Sequence, residues 1–185
     1  MVYVLLAIAL FGVLTATLSS QNNQSDGQDI DEELIEFYAN ELIEYSAAAK
    51  NTIDQMIVTG TTIDQIDFIN PTSAVPFSTA PHIHKVFHTH GGGLNYQETF
   101  NTNIENDLGT TPGWFFQTGI NIEWTNTAAN DVVISALRIQ EAVCAAINEK
   151  ITGTTTIPQL TVSLDDIFEN GTTNLNTTNC AACEG

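Results

Sequence analysis

The first eighteen residues, MVYVLLAIALFGVLTATL, carry no charged side chain. As a helix rising about 1.5 Å per residue they extend roughly 27 Å, enough to cross the hydrocarbon core of a bilayer. Such a stretch has three fates: removal as a signal peptide, retention as a membrane anchor, or burial against copies of itself. A secretory signal peptide needs a positively charged region ahead of its apolar core and a small-residue cleavage site behind it. Here the apolar run begins at residue 1 and the first basic side chain is Lys50. An anchor or a filament core is therefore the expected role, with a basic leader expected to have been removed just before Met1.

The charge of the remainder is one-sided. The 185 residues hold 22 Asp plus Glu against 4 Lys plus Arg, a net charge of −18. A basic stripe able to displace counterions from phosphates cannot be assembled from four cations, which excludes nucleic acid and an anionic membrane surface as partners. Hydrophobic content of 43%, with nine Phe, four Tyr and two Trp, is sufficient to fill a core and argues against disorder. The acids are concentrated from Asp26 to Asp67, where Lys50 alone opposes them.

After Leu18 the polar stretch SSQNNQSDGQ is poor helix material and contains Gly27. Ile30, Leu34, Phe37, Tyr38, Leu42, Tyr45, Ala49, Ile53 and Met56 then recur at three or four residues, predicting an amphipathic helix that Gly60 stops. Thr61 to Pro71 reads as a short helix or turn, and Pro81 to Tyr96 as strand, turn and strand around three glycines. Gly113 to Gln117, Asn121 to Trp124 and Thr154 to Leu164 are further strand candidates. Ala129 to Ile151 places Val132, Ala136, Ile139, Val143, Cys144 and Ile147 on one face, predicting a second amphipathic helix closed by Gly153. The expected class is α+β. A long N-terminal helix has a protruding apolar half and an amphipathic half packed on an antiparallel, β-rich head that also carries the second helix. Residues 1–28 form the apolar helix with a polar hinge, and residues 29–185 the head with the amphipathic half of the long helix.

Over about the first 58 residues this organisation resembles a type IV pilin or pseudopilin, on the run from Val2 to Leu18, the weakened segment Ser19 to Gln28 and the amphipathic stretch Ile30 to Val58. The resemblance implies processing by a prepilin peptidase, residence in the inner membrane before assembly, and transfer by pilus assembly machinery into an extracellular homopolymer. The apolar helix becomes the filament core, with Met1, Val2, Tyr3, Val4, Leu5, Leu6, Ile8, Leu10, Phe11, Val13 and Leu14 as the assembly residues. Most members of the family have Glu where this chain has Leu5. Leu5 removes a costly buried charge together with a partner that sets register, and it is compatible with a pseudopilin of a secretion or assembly apparatus.

All four histidines fall in His82, His84, His88 and His90. On a strand they share parity, and residues two apart lie about 6.5 to 7 Å from each other, a span across which imidazoles converge on zinc or copper. This raises a different class of function, a membrane-tethered metal-binding protein. The competing reading is a row of hydrogen-bonding imidazoles beside carboxylates at a subunit contact, whose protonation near pH 6 would tune assembly. Asp64/Asp67 and Asp165/Asp166/Glu169 offer oxygen ligands for calcium, without the spacing of a dedicated loop.

No P-loop, nucleophile elbow or dinucleotide fingerprint occurs, and base, nucleophile and orienting group are nowhere grouped, so an enzyme is not expected. Cys144, Cys180 and Cys183 allow one disulfide with a thiol left over. Resemblance to pilins, which fasten their C-terminal region, implies that Cys144 pairs with Cys180 or Cys183. The triplets at Asn23, Asn170 and Asn176 match the glycosylation acceptor pattern.

Overall fold

In a computed structural model of the chain, the described residues are 32–98, 113–163, 165–171, 173–181 and 183. The first helix, α1, spans Glu32–Val58. It buries Ala39, Leu42, Tyr45, Ala49, Ile53 and Met56, spaced by three or four residues as one face requires. Leu34 and Phe37, expected on that face, are instead 39% and 60% exposed. The apolar run Met1–Leu18 and the hinge to residue 28 lie outside the described residues, among which no helix is long and apolar enough to cross a membrane.

Beyond α1 comes a 3-10 turn at Ile63–Gln65, then the short helix α2 at Ala74–Ser78. Strand β1, Gly113–Gln117, pairs antiparallel with β2, Val133–Leu137, in the register Gly113 to Leu137 and Gln117 to Val133. Helix α3 covers Glu141–Thr152, and a π-helical turn follows at Asp165–Glu169. The described residues thus mix helix with one two-stranded antiparallel sheet.

Several expected elements differ. The segment 129–151 is a strand followed by a helix. Val132, Val133 and Ile134 are β-branched and stiff at χ1, so they suit a pleated partner better than a helical turn. The strand ends at Arg138, which has φ 69°, and the helix begins after it. Gly153 closes α3 in the left-handed conformation at φ 78°, as its position implied. The segments 121–124 and 154–163 form no strand; Ile122 makes a single parallel bridge to Leu175.

Three apolar clusters hold the body together. In the largest, Tyr45, Ile53 and Met56 of α1 meet Val86, Phe87 and Leu94. The second joins Ala39 and Leu42 to Val143 and Ala146, docking α3 on α1, and the Lys150–Glu36 ion pair at 2.5 Å spans the same two helices. The third gathers Ile120, Val133, Ile167, Leu175 and Cys180.

Candidate functional site

The histidine-bearing segment is not a hairpin. Residues 81–92 run through consecutive turns, with one parallel bridge between Asp67 and Lys85. The amide of Asp67 donates to the His84 carbonyl at 2.9 Å, and that of Val86 to the Asp67 carbonyl at 3.0 Å. Further turn bonds run from Gly91 to His88 at 2.8 Å and from Gly92 to Lys85 at 2.9 Å. Two consecutive side chains, Val86 and Phe87, enter the core at 0% and 6% exposure, which a strand with alternating faces would not allow.

Lys85 organises these turns. It is 4% exposed, and its ammonium donates to the carbonyls of Pro76 at 2.6 Å, Phe77 at 3.0 Å and Thr79. These oxygens belong to the last turn of α2 and the residue after it, where helical carbonyls lack intrahelical donors. All three ammonium hydrogens are thereby used, which compensates the burial of the charge. Nothing in the spacing of Lys85 announces this role, because its acceptors are backbone atoms brought in by a turn that Pro76 and Pro81 bracket.

Around this anchor the histidines separate into three and one. His82 and His88 stack with centroids 4.0 Å apart and planes 4° from parallel. His90 lies 5.3 Å from His88 and 6.2 Å from His82, and the Phe77 ring lies 5.1 Å from His88, tilted by 49°. His84 points away, its Nδ1 3.2 Å from the Thr61 hydroxyl. His88 Nδ1 accepts from the His90 amide at 3.1 Å, so the neutral ring keeps its proton on Nε2. His82 Nδ1 is buried with no hydrogen-bond partner. Desolvation pushes the His88 pKa down, and His82, His90 and Lys85 add to this through repulsion. The neighbours acting on His88 are cationic or neutral, so the carboxylate contacts considered for these histidines are not what it meets.

Among the described residues no three or more His, Cys, Asp or Glu side chains are arranged as a metal-ligand set. Of the calcium candidates, Asp64 is exposed, and Asp67 Oδ1 accepts from the Ile69 amide at 2.8 Å. The side chains of Asp165 and Glu169 lie outside the described ones. The assembly residues Met1 to Leu14 and the acceptor Asn23 are outside the described residues as well. Asn170 is exposed, and Asn176 Oδ1 accepts from the amides of Thr178 and Asn179 at 3.0 and 3.1 Å.

The disulfide also differs from the expected long loop. Cys180 pairs with Cys183, with Cα atoms 5.4 Å apart. The tail brings Cys180 into the cluster of Ile120, Ile167 and Leu175. Cys144 sits elsewhere on α3, its thiol 3.9 Å from the Ile139 carbonyl in a groove shared with Leu42 and Trp114.

Compared with family models, with curated proteins and with solved structures, the chain matches none.

Proposed function

We propose that the chain is a structural subunit of an extracellular, type IV pilin-like filament that polymerises through Met1–Leu18. The observation that carries this reading is the sequel to the apolar run: α1, Glu32–Val58, with one face built into the head. On this reading the apolar half of the long helix protrudes and the amphipathic half is its mount on the head. The subunit rests in the inner membrane before assembly, is processed by a prepilin peptidase, and partners itself in the filament. Low charge along residues 1–25 supports burial among copies, since a bare charge in that core would be costly. Leu5 permits one variant of the reading, a pseudopilin of a secretion or assembly apparatus, beside a divergent pilin whose filament is held by packing alone.

The test is Val13→Asp in the full chain, followed by electron microscopy of filaments and thermal unfolding of the head. A charge within the apolar segment should abolish filaments and leave the unfolding transition of the head unchanged. Normal filaments from this variant would remove the proposed core.

A further inference from the structure

Two surfaces of this chain complement each other and lie too far apart to meet within one subunit. The first is on α1. Glu33, Phe37, Glu41 and Glu44 step by four, four and three residues, so they share one helical face, and Leu34 borders it seven residues before Glu41. Phe37 is 60% and Leu34 39% exposed, and all three carboxylates are exposed beside them. Glu36, on another side of the helix, pairs with Lys150.

The second surface is the turn lobe. Residues 68–97 contain none of the chain's 22 acids, yet they hold all four histidines and Lys85. The outside of this lobe is also apolar: Val75 is 75% and Ile83 61% exposed. Val75 shares one depression with His84 and, at the border of the acid-free stretch, Asp67; Ile83 shares another with His84 and His90. The lobe is fastened at the far end of α1, where Gly92 packs against Thr52 and Met56. The rise from Phe37 to Thr52 alone is about 22 Å.

We propose that these surfaces bind each other between copies: the Glu33–Phe37–Glu41–Glu44 face of one subunit docks on the Val75–Ile83–histidine lobe of the next. Two different patches make a heterologous contact, which propagates as an open chain when its rotation does not close. Each patch has exposed apolar side chains for the centre of an interface and charge or imidazole for its rim. In a chain of net charge −18 the lobe is the stretch that an acidic face approaches with least repulsion. The inference rests on the filament reading and names the contact between heads within it.

The experiment uses the full chain with Phe37→Cys and Ile83→Cys, singly and together, in mild detergent micelles and in assembled material, treated with a mild thiol oxidant. The double variant should give a ladder of linked multimers and the mixed single variants a dimer. Each single variant alone should give no more than the unsubstituted chain. Adding Glu41→Lys and Glu44→Lys should lower the ladder yield roughly twofold at low ionic strength, because the lobe, which holds Lys85 and no acid between residues 68 and 97, then faces like charge. Self-linking of Phe37→Cys as readily as the mixture, absence of a ladder in a chain with unchanged unfolding, or a yield indifferent to charge reversal would each overturn the proposal. Linking in micelles reads the head contact and electron microscopy reads polymerisation through Met1–Leu18, so either can fail alone.

Discussion

The rings of His82 and His88 lie face to face, 4.0 Å between centroids and 4° from parallel, with His82 Nδ1 buried and unpartnered. Two neutral imidazoles tolerate this stacking; two imidazolium ions at that separation repel each other. Lys85, buried in the same lobe, adds a fixed positive charge. The surroundings of His88 therefore favour its neutral ring, with Phe77 5.1 Å from it.

Acid should destabilise the head through His88. Its folded pKa is lowered by desolvation and then by His82, His90 and Lys85, so the unfolded chain takes up the proton first as pH falls. Stability is then complete above the unfolded value of about 6.5 and declines as pH drops from there towards the lowered folded value. Thermal unfolding from pH 8 to 5 should show this decline, and His88→Gln should flatten it. A flat profile for the unsubstituted chain would contradict the neutral-stack account.

Lys85→Met should cost about 3 kcal/mol, because the carbonyls of Pro76, Phe77 and Thr79 lose a charged donor that is itself only 4% exposed. Lys50→Met is the contrast. Lys50 pairs with Asp54 at 2.6 Å, but its side chain is 73% exposed, and the change should stay within about 0.5 kcal/mol. Urea unfolding of the two variants would separate these outcomes, and equal effects would mean that the ammonium is not an anchor.

Helix α1 was legible because a period of three or four apolar residues has one structural meaning over 27 residues. The clustering of His82, His88 and His90 was legible too, but through the wrong geometry. Strand parity joins all four rings, whereas the turns join three and send His84 to Thr61. A strand needs a partner for its backbone groups. Here the amides and carbonyls of residues 82–94 bond mostly to one another around Lys85, whose ammonium is held by backbone oxygens of Pro76, Phe77 and Thr79, acceptors that no side-chain periodicity announces. The reading of 129–151 as helix failed for another reason. Val132, Ala136, Ile139 and Val143 keep helical spacing across a junction between strand and helix, and the run of β-branched residues was the signal that spacing concealed.

Gly92→Ala should loosen the lobe. A Cβ at Gly92 would come within 2.6 Å of the Val86 carbonyl, 2.7 Å of Thr52 Cγ2 and 2.9 Å of Met56 Sδ. One of these contacts is backbone, so the lobe must shift away from α1 at a cost of about 2 kcal/mol. Hydrogen exchange should then accelerate at the Val86 and Leu94 amides, while β1 and β2 keep their protection. Unchanged exchange would show that the lobe and α1 are less closely packed than these distances require.

Reduction of the Cys180–Cys183 bridge should have a modest effect, because it closes a sequence separation of only 3. Loop-closure entropy assigns about 2 kcal/mol to so short a loop, against about 4 kcal/mol for one reaching back to Cys144. The bridge also shapes a local surface: Cys180 is fully buried beside Ile120 and Ile167, and the Asn179 carbonyl receives the Thr161 amide at 2.9 Å. Its loss should therefore free the tail and residues near Thr161 before the rest of the head. Chemical denaturation with and without reductant, combined with peptide mapping of the linked cysteines, tests both parts. A loss near 4 kcal/mol, or a mapped peptide joining Cys144 to the tail, would establish the long loop instead.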